Sequence, residues 1–130
     1  MAGIKLDGAG VAKLKTIEDA LLLLQRVHGL VEQFALALKR GQQTTVYGMQ
    51  IKRAATPLVG LLKPQFGLIS DQAAALNLVA SRGGSDAMRV RSLRETVAMI
   101  RTALEIQSTK VKEQHAVEEE ETEREEESTS

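Results

Sequence analysis

From Ile17 onward the apolar residues of this chain recur at the three- and four-residue spacing of helices. Ile17, Leu21, Leu24, Val31, Ala35 and Leu38 form one row, and Ala20, Leu23, Val27, Leu30, Phe34 and Ala37 form a second. Two adjacent rows make a wide stripe, so a first helix over residues 17–40 is expected to touch at least two neighbours. Thr16, followed by Asp19 three residues on, suits its N-terminus as a capping pair. Glu18 and Asp19 complement the positive end of the helix dipole, and Lys39 and Arg40 the negative end. Gly41 suits a left-handed stop.

After a short polar connection a second helix spans about residues 45–62, with Tyr47, Ile51, Ala54, Ala55, Leu58 and Leu62 on one face. Pro57 lies inside this pattern and removes a backbone donor, which predicts a kink or a break after Ala55. Ser70 is expected to cap a third helix, from Asp71 to about Ser81, whose stripe is Ala73, Leu76, Val79 and Ala80. Gly83 and Gly84 interrupt the chain, and Ser85 caps a fourth helix from Asp86 to at least Gln107. Val90, Leu93, Val97, Ile100 and Leu104 form its core row. Beyond them the same face offers Gln107, Val111 and Gln114, so packing is expected to fade.

No alternating run of β-branched or aromatic residues competes with this reading. The fold class expected is all-α: a four- to five-helix antiparallel bundle with a disordered acidic C-terminal tail. Residues 1–15, with Gly3, Gly8 and Gly10, read as a flexible arm, residues 16–112 as the bundle and residues 113–130 as the tail.

Charge sharpens that division. The 17 Lys and Arg balance the 17 Asp and Glu over the whole chain. Residues 1–112, however, carry 16 basic and 8 acidic side chains, whereas residues 113–130 carry Arg124 and nine Glu. A basic body on an acidic tail bears on electrostatic partners rather than on fold. The chain has no Cys, which excludes disulfides, Cys-ligated zinc, a thiol nucleophile and a redox motif. Its three aromatics, Phe34, Tyr47 and Phe66, leave little for stacking nucleic-acid bases.

Candidate catalytic groups are scattered. His28 lies on an apolar row between Leu24 and Val31, and His115 lies in the tail. Glu18, Asp19, Asp71 and Asp86 are placed at helix starts, where capping and the dipole account for them. No metalloprotease, Walker, nucleophile-elbow or dinucleotide motif occurs. The chain is therefore expected to be non-catalytic, with no metal and no cofactor.

Its surfaces are more informative. On the fourth helix Arg91, Arg94 and Arg101 share a stripe with Ala98, and Arg89 lies beside it. The stripe is offset from the core row and is expected to face solvent, where the guanidinium fork suits carboxylate or phosphate. Met88, Met99 and Leu22 fall outside the core rows and are candidate apolar contacts, with Leu36, Val59 and Leu61 at the edges. Arg82, Gly83, Gly84 and Ser85 precede a helix start and form a candidate anion site, although a turn with a serine cap is the better account of them. Thr122, with Glu125 three residues on, suits an acid-directed kinase.

These features predict a protein–protein interaction module, an adaptor or small subunit of a multiprotein assembly. Its apolar groove, flanked by the Arg stripe, would receive another protein with an acidic or amphipathic helical surface, or a second copy of the chain. The alternative is a nucleic-acid-associated basic helical protein whose acidic tail limits non-specific binding, with Lys39, Arg40, Lys52, Arg53 and Lys63 as a second basic cluster. The longest dense apolar run is Ala20–Leu24, short of the ~18 residues of a membrane span, and no signal peptide is evident. No membrane span and a cytoplasmic or nuclear location are expected.

Overall fold

Four helices account for most of residues 5–117, the part of the chain that the computed structural model describes: α1 (Gly8–Lys39), α2 (Tyr47–Leu62), α3 (Gly67–Ser81) and α4 (Asp86–Gln114). Two short strands, β1 (Lys5–Leu6) and β2 (Ala116–Val117), pair antiparallel, with Lys5 opposite Val117 and Leu6 opposite Ala116. The glutamate blocks from Glu118 onward, and Thr122 among them, lie outside the described residues.

The first helix starts well before Ile17. Asp7, in extended backbone, accepts a hydrogen bond from the Gly10 N–H at 2.7 Å and is the true N-cap. Residues 8–15 are therefore helical rather than part of a loose arm, and Thr16 is an interior residue whose hydroxyl donates to the Ala12 carbonyl. The glycines that suggested flexibility include one with a packing role. A Cβ on Gly10 would lie 2.5 Å from the Cβ of His115, so only glycine lets the start of α1 approach the end of α4 this closely. At its other end α1 stops at Gly41, with φ +67°, as the sequence predicts. The Gly41 N–H donates to Leu38 and the Gln42 N–H to Ala37, so both orphan carbonyls are satisfied.

The α2 helix continues through Pro57 without a break. Proline has no N–H for the Arg53 carbonyl four residues earlier, but Arg53 and Pro57 are both exposed and water can replace the lost bond. The α3 helix begins at Gly67, so Ser70 is not its cap. Ser70 is instead buried, and its hydroxyl donates to the Val59 carbonyl of α2 at 2.9 Å. Ser85 does cap α4, accepting from the Met88 N–H.

Each helix packs on two others: α1 on α2 and α4, and α3 on α2 and α4. Ile17, Ala20, Leu24, Val27, Val31, Phe34, Ile51, Ala55, Leu58, Leu62, Leu76, Leu93, Ile100 and Leu104 are almost wholly buried between them. At roughly 1.5–3 kcal/mol for each large apolar side chain removed from water, this cluster is the main source of stability. Phe34 stacks on Tyr47 with ring centroids 5.6 Å apart, fixing the end of α1 against the start of α2. Packing thins after Leu104 as expected, with Val111 the one buried side chain among residues 105–114. The early turns of α1 supply the surface that covers this end of α4.

By length and composition alone α1 is long and apolar enough to cross a membrane, with an 18-residue window of mean hydropathy 1.3, a test that the core helix of a bundle also passes. In this structure its inner stripe is occupied by α2 and α4.

Candidate interaction groove

The arginine stripe on α4 is less available than the sequence suggests. The Arg94 guanidinium makes two hydrogen bonds to the Glu32 carboxylate of α1, at 2.9 and 2.7 Å. That bidentate pair holds Glu32 below the usual carboxylate range, mainly through the Arg94 hydrogen bonds, and raises the pKa of Arg94 in turn. Arg91 lies 3.5 Å from Glu95 on its own helix. Arg89 does not face solvent freely: its side chain is 23% exposed, it lies 3.7 Å from Asp86, and its Nε is buried with no partner among the described residues. Arg101 is half-buried. The stripe is thus largely tied up at home, with Arg94 serving as a brace between helices.

Met88, Met99 and Leu22 are exposed at 70%, 57% and 67% of their surface, as their positions outside the core rows imply. They do not form one patch in sequence terms: the two methionines are on α4 and Leu22 is on α1. The Arg82–Ser85 loop borders a hollow of about 100 Å³ with Val79, Met88, Arg89 and Ser92. Asp86 at this helix start accepts from the Thr44 hydroxyl at 2.6 Å and faces Arg89, so the positive end of α4 already has its anion.

A further cleft lies between α1 and α2. Leu23, Arg26, Gly29, Leu30 and Gln33 of α1 face Gln50, Arg53, Ala54 and Pro57 of α2 across a cleft of about 530 Å³. It meets a second hollow of about 500 Å³, bordered by Asp19, Leu22, Leu23, Pro57 and Leu61, along Leu23 and Pro57. Leu22, Leu23, Leu30, Ala54, Pro57 and Leu61 give this groove an apolar lining, while Arg26, Arg53, Gln33 and Gln50 edge it with polar groups. Among the described residues no carboxylate lies within ion-pair distance of Arg26 or Arg53.

Of the predicted contacts Leu22 and the edge residue Leu61 belong to this groove. Arg26, Gly29 and Pro57 were missed as site residues, and Arg53 was read only as part of the second basic cluster. A signal for them exists in Gly29, a glycine deep inside a long helix and off its apolar rows, where no turn or cap requires it.

At the opposite end of α1 a polar cluster joins the two ends of the described chain. The His115 ring lies with Nδ1 3.1 Å from both carboxylate oxygens of Asp7 and with Nε2 3.1 Å from the Lys13 ammonium. The Asp7 carboxylate can only accept, so this geometry fits a proton on Nδ1 directed at Asp7. The Gly10 N–H first, and His115 second, hold the Asp7 carboxyl below its ordinary value. His115 is thus a structural clasp residue rather than part of the tail. His28 is half-buried, and its Nδ1 has no partner among the described residues. No group of three or more His, Asp or Glu among the described residues is arranged to hold a metal ion. Compared with known proteins, the chain matches no family model, no curated protein and no solved structure.

Proposed function

We propose that this protein is a non-catalytic interaction module, an adaptor or small subunit of a multiprotein assembly, built as an antiparallel helical bundle that receives a partner helix between α1 and α2. One observation carries this reading: two adjoining hollows of about 530 and 500 Å³ form a groove with an apolar lining that no helix of the described chain covers. Grooves of this kind accept amphipathic helices through anchors spaced three, four and seven residues apart. The docking surface proposed here lies on α1 and α2 instead of on the arginine stripe of α4, because Arg94 and Arg91 have carboxylate partners within the chain.

The test is affinity purification with mass spectrometry from the native cell, comparing the wild-type chain with a Gly29→Trp variant that fills the groove. Gly29 is exposed and a Cβ there meets nothing within 4 Å, so the variant is expected to keep its helicity. Loss of a specific partner from the variant supports the proposal. An identical set of bound proteins for both chains, or retention governed only by nucleic acid and abolished by moderate salt, refutes it.

A further inference from the structure

We infer that the groove between α1 and α2 is built for an acidic amphipathic helix, one that places Asp or Glu beside its apolar anchors to meet Arg26 and Arg53. This inference rests on the docking function proposed above and names the chemistry of the partner.

Arg26 and Arg53 come from different helices and line the same cleft. Both are exposed, and neither has a carboxylate within ion-pair distance among the described residues. Elsewhere the arginines Arg89, Arg91 and Arg94 each face a carboxylate of their own chain. The one acid in the groove, Asp19, sits at its far end and is offset by Lys15 at 3.9 Å. The uncompensated charge of the groove is therefore positive, and it flanks an apolar floor. Two guanidiniums that line one cleft from different helices suit carboxylates on an inserted helix.

Gly29 adds a second, steric observation. An interior helical glycine is about 1 kcal/mol less favourable than alanine. Packing among the described residues does not explain it, since a Cβ there meets no atom within 4 Å. Its effect is to lower the α1 wall of the groove midway between Arg26 and Gln33, which lets a second backbone come close. Pro57 of α2 lines the same cleft and gives the Arg53 carbonyl no helical N–H donor. From Asp19 to Gln33 the groove follows α1 for about 21 Å at 1.5 Å per residue, room for a helix of roughly 14 residues.

An unbiased selection tests this. A displayed library of 16-residue helical peptides is selected against the immobilised full-length chain, and each winner is then assayed on Gly29→Trp. The expected winners carry Asp or Glu beside apolar residues at helical spacing. Their affinity should fall at least about tenfold on the double reversal Arg26→Glu with Arg53→Glu, while thermal unfolding is unchanged. Winners that depend on the groove but are neutral or basic beside their anchors overturn the acidic assignment and leave the docking function standing. Winners that bind Gly29→Trp and the double reversal as well as wild type overturn both. A groove-dependent dimer of the chain itself, seen by sedimentation and lost in Gly29→Trp, makes a second copy the occupant and also overturns the acidic assignment.

Discussion

Gly10 and Gly29 lie on the same helix, and replacing each with alanine is expected to move stability in opposite directions. At Gly29 the new methyl group meets open space on an exposed face. The change removes unfolded-chain entropy and improves helix propensity, a gain of about 0.5–1 kcal/mol. At Gly10 the same methyl group would lie 2.5 Å from the His115 Cβ, 3.1 Å from its Cγ and 3.2 Å from the Leu6 Cβ. The His115 Cβ cannot swing aside as the tip of a flexible side chain can. Its backbone accepts from the Asp7 N–H and donates to the Val111 carbonyl, both at 3.0 Å. Relief requires the start of α1 and the end of α4 to separate, and overpacking of this kind costs about 1–3 kcal/mol. After the small gain in propensity, Gly10→Ala should be destabilising by about 1–2 kcal/mol, so the two variants differ by roughly 2 kcal/mol. For a domain of this size that is on the order of 10 °C in Tm. Urea unfolding followed by far-UV circular dichroism, with m unchanged, measures the difference. If Gly10→Ala proves as stabilising as Gly29→Ala, the close approach at His115 and the clasp built on it are wrong.

Three further outcomes are expected. The Glu32–Arg94 pair is about half exposed, so Glu32→Gln should lower stability by no more than about 1 kcal/mol. Because the folded pKa of Glu32 is depressed, that contribution is complete above the unfolded carboxylate value, about 4.3, and is lost as pH falls through the folded value below it. Denaturation of wild type and variant near pH 7 and near pH 3 checks this, and a gap that does not shrink on acidification contradicts it. Ser70→Ala removes a buried hydroxyl from the Val59 carbonyl, which still accepts from the Lys63 N–H, so a loss of about 1 kcal/mol is expected in thermal unfolding and a neutral result argues against that bond. Asp7→Ala should speed hydrogen exchange at the amides of Gly10 and Val11 while Asp7→Asn, another good cap, should not; equal protection in both would reassign the N-cap.

The helical periodicity was legible because it reports burial directly. The α4 row Val90, Leu93, Val97, Ile100 and Leu104 is buried throughout, and so are Ile51, Ala55, Leu58 and Leu62 of α2. Helix starts were harder to read. Thr16 and Ser70 have capping chemistry, yet hydroxyls also fit inside helices by bonding back to a carbonyl, as Thr16 does, or across to another helix, as Ser70 does. Glycine misled twice in the same way. Gly8 and Gly10 suggested a loose arm because composition does not reveal that a distant residue, His115, comes against the same turn. Arg91, Arg94 and Arg101 fall off the core row of α4, but periodicity within a single helix cannot show that Glu32 of another helix meets Arg94. The groove depends on how α1 and α2 lean on each other, which local pattern does not encode.

The pairing of Lys5 with Val117 brings the entry and exit of the described chain to one pole of the molecule. The ends are therefore suited to being joined by a short linker, and a circular permutant opened in the Gln42–Thr45 connection, where residues 42–44 have no regular structure, should retain the same four helices. Reporter groups fused at residues 5 and 117 would start side by side, a geometry suited to measuring whether that pole opens.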